Sequence, residues 1–187
     1  MVENNNKSRV IILSDDLANQ IAAGEVIERP MSVIKELVEN SIDAKATRIL
    51  VEVEQGGKKL IRVSDNGLGM SPEDARLSFS RHATSKISSS SDLAKIVSLG
   101  FRGEALPSIA SVSKINMTTS NNEHHGGTQI DLEGGKLAQE KEIACQHGTT
   151  IEVSQLFYNT PARKKFLKGD STEFSHITQI VTQHALA

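Results

Sequence analysis

An α+β fold, a two-layer sandwich of helices on one face of a mixed, mainly antiparallel sheet, is predicted by two patterns along the chain. Apolar residues recur at helical spacing in some segments and at a period of two in others, and the two kinds are mixed without strict βα alternation. The first two period-two segments are joined by Gln55-Gly56-Gly57, too short a connection for anything but a hairpin. Length agrees, since 187 residues suit a single core. Only 3% of residues are aromatic and Trp is absent, so that core is aliphatic.

Each element follows from local chemistry. Residues 1–14 form a polar arm ending in the apolar stretch Val10 to Leu13, and Ser14 or Asp15 caps a helix running to about Ala23, with Leu17 and Ile21 at helical spacing. Pro30 opens a second helix, because a proline at the first position forfeits no needed N–H. Ile49, Val51 and Val53 alternate before the hairpin turn, and the return strand is Leu60 to Asp65. Ser71-Pro72 starts a helix over 71–80. The stretch from Thr84 to Gly103 reads as a long loop with one short helix at Asp92 to Val97. A helix from Glu104 to Ser111 follows, then strands near Lys114–Thr119, Thr128–Leu132 and Thr149–Ser154, and an amphipathic helix from Ser171.

Composition narrows the function. A formal net charge of −2 and few aromatics argue against a dedicated nucleic-acid module built on stacking platforms. The single Cys145 excludes an internal disulfide framework and a zinc site of paired cysteines. His124 and His125 beside Gly126 and Gly127 lack further ligands at a metal spacing. No stretch has the length of a membrane span or the form of a secretory signal, so a soluble protein, cytoplasmic or nuclear and not secreted, is expected.

Four stretches carry candidate chemistry. On the helix of "KELVENSIDA", Met31, Ile34, Leu37, Val38 and Ile42 share one side, while Glu36, Asn40 and Asp43 line the other at i, i+4 and i+7. A solvated helix face satisfies that pattern equally. In "LIRVSDNGLGM", Ile61 and Val63 share parity with Asp65, so a strand that buries the first two turns the carboxylate into the layer between sheet and helices. In "HGTTIEVS", Thr149 shares parity with Ile151 and Val153 and points the same way. "GFRGEAL" places Gly100 and Gly103 ahead of a helix N-terminus, where free N–H groups attract phosphate, although no G-x4-G-K-[ST] signature is present.

The order and content of "LANQIAAGEVIERP", "KELVENSIDA", "DNGLGM", "RHATSKI", "GFRGEAL" and "LFYNTPARKKFL" resemble the ATPase superfamily that joins gyrase B, the heat-shock chaperones, histidine kinases and MutL, and within it the MutL mismatch-repair family, over residues 10–186. Lys45, where that family often has Gly, and Pro107 depart from its pattern. The resemblance implies a Bergerat-type ATP-binding fold and Mg2+-dependent ATP hydrolysis. Glu36 would be the general base toward water and Asn40 a Mg2+ ligand; Asp65 would accept from the adenine amino group, supported by Thr149. Asp43, Ala44, Gly67, Gly69 and Met70 would line the nucleotide pocket. Thr84, Gly100, Phe101, Gly103, Glu104, Ala105 and Leu106 would act from a lid spanning 80–106.

Arg163, Lys164, Lys165 and Lys168 would contact DNA, a solvated face being the other reading. The same resemblance implies a homodimer of the full-length protein that exchanges signals with a mismatch-recognition protein and a downstream nuclease or helicase, with no membrane role. It makes residues 1–187 an N-terminal ATP-binding domain, without the transducer and C-terminal dimerisation domains, mostly monomeric and very slow in turnover by itself. A nucleotide-gated scaffold, and a topoisomerase-like member of the superfamily, are the alternatives; Glu36 favours hydrolysis, and "GFRGEAL" with "FYNTPAR" argues against the topoisomerase.

Overall fold

The structure, a computed structural model, describes residues 10–84, 103–121 and 126–186. Its elements in order are α1 (Asp15–Val26), α2 (Pro30–Asp43), β1 (Ile49–Glu54), β2 (Leu60–Asp65), α3 (Pro72–Leu77), α4 (Ala105–Ser111), β3 (Lys114–Ser120), β4 (Gly127–Glu133), β5 (Lys136–Ile143), β6 (Gly148–Ser154), α5 (Pro161–Phe166) and α6 (Asp170–Leu186). The strands form one sheet in the order β1-β2-β6-β3-β4-β5, every pairing antiparallel.

Register builds the core in rungs. Val51, Val63, Ile151, Met117 and Ile130 stand side by side across five strands, as do Val53, Ile61, Val153, Ile115 and Leu132. Against this face α2 lays Val33, Ile34, Leu37 and Val38, and α4 lays Ile109 and Ala110, all buried. Among the described residues no helix is long and apolar enough to cross a membrane.

Helix ends follow the expected chemistry. Ser14 accepts from the Leu17 N–H at 3.4 Å, and Ser71 accepts from the Asp74 N–H at 3.1 Å. Pro107 sits in the first turn of α4, where its missing N–H breaks no helical bond. Helix α2 ends in a Schellman closure: Ala46 N–H donates to the Ser41 carbonyl at 3.1 Å and Lys45 N–H to that of Ile42 at 2.9 Å. Lys45 holds φ +61 there, a backbone state that glycine enters without cost, and this is the position at which the resemblance calls for Gly.

Some expectations are corrected. Ile42 is 46% exposed, because in the last turn of α2 Ser41 and not Ile42 faces the sheet. The helix expected over 71–80 ends at Leu77, its C-terminal N–H groups turning back onto Asp74 and Arg76. Strand β5 and helix α5 were not foreseen. Almost all of β5 is exposed as an edge strand and α5 has no buried residue, so neither carries an apolar stripe. Val10 to Leu13 are exposed outside any regular element. The short helix expected at Asp92–Val97 lies outside the described residues.

Candidate functional site

One rung differs from the apolar ones. Asp65 of β2 pairs with Thr149 of β6, Thr149 with Thr119 of β3, and Thr119 with Thr128 of β4, so four polar residues cross the sheet at the end where β2 stops. By parity they face the helices. Burying them requires partners. Thr119 Oγ1 donates to the Gly148 carbonyl at 3.1 Å and accepts from the Met70 N–H at 3.0 Å and from the Thr149 hydroxyl at 2.9 Å, which uses its donor and both lone pairs.

Asp65 is held on both oxygens. Oδ1 accepts from the Gly67 N–H at 2.8 Å and the Thr149 N–H at 3.3 Å, and Oδ2 accepts from Ser41 Oγ at 2.8 Å. The last contact ties β2 to α2, which carries Glu36 and Asn40 on its half-buried polar side. Asn40 is the neighbour of Ser41, and Glu36 lies one turn earlier. Lys35 Nζ stands 3.7 Å from Glu36 Oε1. The structure thus pairs Asp65 with Thr149 and joins them through Ser41 to the helix that carries Glu36 and Asn40.

The glycines of the Asp65 loop are there for close approach. A Cβ on Gly67 would meet the Ala44 carbonyl oxygen at 2.7 Å, and one on Gly69, at φ +64, would meet that of Ser120 at 2.0 Å. The Leu68 N–H donates to Ala44 O at 2.8 Å, so the end of α2 near Asp43 and Ala44 is stitched to this loop. Asn66 completes the turn: its Oδ1 accepts from the N–H groups of Thr47 at 2.9 Å and Arg48 at 2.8 Å.

The lid candidates divide. Gly100 and Phe101 lie outside the described residues. Thr84 is half-buried in coil; Gly103, Glu104, Ala105 and Leu106 lead into α4. The flanks of this segment meet, since a Cβ on Gly103 would lie 2.4 Å from the Ala83 carbonyl oxygen and His82 Nδ1 lies 2.9 Å from Glu104 Oε1.

The basic cluster divides too. Lys164, Lys165 and Lys168 are exposed, whereas Arg163 is half-buried with its guanidinium 5.2 Å from the Phe157 ring. Burial lowers its pKa from the usual guanidinium value. Burial likewise raises the Cys145 thiol, which agrees with a packed side chain and not a nucleophile.

Ser41 and Thr119 escaped sequence reasoning. Thr119 was findable, since Ile115, Met117 and Thr119 alternate as Asp65 and Thr149 do with their neighbours. Ser41 lies one turn after Leu37 on the inward side of α2, but a serine between asparagine and isoleucine gives no apolar signal.

Among the described residues no group of three or more His, Cys, Asp or Glu is placed to hold a metal by itself. Asn40, half-buried beside Ser41, carries an amide oxygen of the kind a hard cation accepts alongside phosphate and water.

Over residues 28–161 the chain matches the family described as histidine kinase-, DNA gyrase B-, and HSP90-like ATPase. It is 60% identical over 179 residues to the DNA mismatch repair protein MutL of Acidobacterium capsulatum, covering 96% of this chain and 27% of that protein. To the MutL of Shouchella clausii it is 56% identical over 175 residues, 94% and 26% of the two chains. It thus spans about a quarter of the length of the curated relatives it matches. Among solved structures it is similar to the Aquifex aeolicus MutL ATPase domain complexed with ADP, at a TM-score of 0.68 and 39% identity over 86% of this chain and 56% of that one. The polar rung, the helix that faces it and these likenesses place one conclusion on firm ground: the chain belongs to the histidine kinase-, DNA gyrase B- and HSP90-like ATPase family, as an ATPase domain of the MutL type.

Proposed function

We propose that this domain binds ATP with Mg2+ between α2 and the polar rung and hydrolyses it, and that the nucleotide state serves as a signal in DNA mismatch repair. The observation that carries this reading is the Ser41 hydrogen bond to Asp65, 2.8 Å, because it sets the helix of Glu36 and Asn40 and the strand of Asp65 as one rigid corner. In that corner Asp65 receives the adenine amino group, and Thr149 with Thr119 holds the water and backbone around it. Gly67, Gly69 and Met70 form the wall on which the base rests, and Asp43 and Ala44 close the end of α2.

Glu36 holds the attacking water and takes its proton as the water oxygen bonds the γ-phosphorus and ADP leaves; Asn40 would hold Mg2+ through its amide oxygen. In-line placement of that water is the main demand that phosphoryl transfer makes of a protein. When bound, Mg2+ neutralises charge on the phosphate oxygens. Residues 80–106 act as the lid, with Gly103, Glu104, Ala105 and Leu106 at its hinge and Thr84 at its entry, and residues 1–14 as an arm. The whole protein works as a nucleotide-dependent homodimer in the cytoplasm, or the nucleus of a eukaryote, meeting a mismatch-recognition protein and a nuclease or helicase. Exposed Lys164, Lys165 and Lys168 meet DNA phosphates, with Arg163 bracing α5 from within.

Two variants test the core of this reading. Glu36→Ala keeps ATP affinity and loses turnover, whereas Asp65→Ala loses adenine nucleotide affinity by about a thousandfold, as deletion of a buried polar partner does. Calorimetry with ADP and steady-state phosphate release measure both. Undiminished turnover in the first, or undiminished affinity in the second, refutes the role concerned.

A further inference from the structure

Glu39 lies on α2 between the residues already assigned, yet it is only 6% exposed. A carboxylate so placed demands partners. It has two: Lys35 Nζ at 3.5 Å from Oε1, one turn back on the same helix, and His184 Nε2 of α6 at 3.2 Å from the same oxygen. Lys35 also stands 3.7 Å from Glu36 Oε1, so its ammonium is shared between a buried carboxylate and the one assigned as general base. Helix α6 is pinned at its other end as well. Glu173, fully buried, accepts from the Lys168 N–H at 2.8 Å, and His176 Nδ1 lies 3.1 Å from Arg29 Nη1 just before α2.

We propose that Glu39 and His184 are positioning residues for ATP hydrolysis. By holding Lys35, Glu39, itself fixed by His184, limits how closely that ammonium can pair with Glu36, and so keeps Glu36 in the orientation and basicity that water activation needs. A lysine is a point charge on a flexible stem, and the carboxylate it pairs with is set by the competing charges around it. With the Glu39 charge removed, Lys35 moves onto Glu36 and quenches it. His184 makes this competition depend on α6, because the ring whose Nε2 lies 3.2 Å from Glu39 Oε1 and whose Nδ1 lies 3.0 Å from the Ile180 carbonyl is carried by α6, so displacement of α6 reaches the base without touching the nucleotide.

The inference rests on the reading of Glu36 as base, and the experiment separates the two. In the complete protein, Glu39→Gln and His184→Phe each lower kcat about tenfold, in line with the cost of misplacing a reacting group, and leave KM for ATP within about twofold. His184→Gln, which keeps a donor, restores most of the rate. In a Lys35→Met background, Glu39→Gln has no further effect, because its route to Glu36 is gone. Glu39→Gln turning over within twofold of the parent, or losing as much rate without Lys35 as with it, overturns the proposal. Should Glu39→Gln not fold, the contrast of His184→Phe with His184→Gln decides: equal rates in the two overturn it. Turnover retained by Glu36→Gln overturns the base assignment and the brace together; turnover lost there but unchanged in Glu39→Gln overturns the brace alone.

Discussion

Ser41→Ala removes one hydroxyl and leaves the apolar packing of α2 intact, so its effect isolates the bond between helix and strand. Ser41 is 4% exposed, and its Oγ lies 2.8 Å from Asp65 Oδ2 and 3.1 Å from the Leu37 carbonyl. The Leu37 carbonyl loses little, since it keeps its bond within the helix. Asp65 keeps the Gly67 and Thr149 N–H groups on Oδ1 and loses the hydroxyl on Oδ2. A hydrogen bond to a charged group contributes about 1.5–3 kcal/mol. A domain of this size shifts by about 2–4 °C per kcal/mol, so melting falls by roughly 5 °C. Nucleotide affinity falls as well, because a carboxylate free to rotate must be reordered on binding; about 1.4 kcal/mol of that cost is a tenfold weaker Kd for ADP. Differential scanning fluorimetry and calorimetry read the two effects on one sample. A variant melting within 1 °C of the parent and binding ADP equally well, about zero change on both scales, would falsify the view that this hydroxyl aligns Asp65.

The other substitutions probe backbone. Gly69→Ala places a Cβ 2.0 Å from the Ser120 carbonyl oxygen at φ +64, so the Asp65 loop and β3 separate; we expect a loss of about 3 kcal/mol or more in urea melts together with ADP binding, and retention of both would mean the loop has room. Lys45→Gly relieves the left-handed C-terminal position of α2, at φ +61, and raises stability by about 0.5–1 kcal/mol; an unchanged or lower urea midpoint would show that the lysine side chain offsets the strain.

The parity of Asp65 and Thr149 was legible because strand alternation is a local rule, and the register pairs those two residues directly. The caps at Ser14 and Ser71 were legible for the same reason. Glu39 was not, since a glutamate amid Lys35, Glu36 and Asn40 reads as wet surface, and only α6, 145 positions away, buries it. Strand β5 hid for the opposite cause. "KLAQEKEI" has charge on both faces, as suits an edge that must not recruit another strand, and such a strand has no alternation to find. Ile42 was misjudged because a helix's last turn can outrun the sheet beneath it, a fact of length that periodicity does not contain.

These differences fall into a pattern that bears on mechanism. The floor of the site consists of groups saturated by fixed partners from the sheet, the Asp65 loop and α2: the Thr119 hydroxyl by three partners, Asp65 by three donors. Such a floor is preorganised and does not wait for nucleotide. The flanks of residues 80–106 are likewise joined before any ligand arrives, Gly103 against Ala83 and Glu104 against His82. Closing a loop costs entropy mainly in bringing its ends together, a cost that the fold has already met here. Glu36 differs in kind, for its neighbour Lys35 answers to Glu39 and through it to α6. On the proposed assignments, recognition of adenine is therefore built into the sheet and its tie to α2, whereas the reactivity of the base is open to adjustment from a distant helix. A nucleotide switch needs that division, because a state that binds tightly and hydrolyses late lasts long enough to be read.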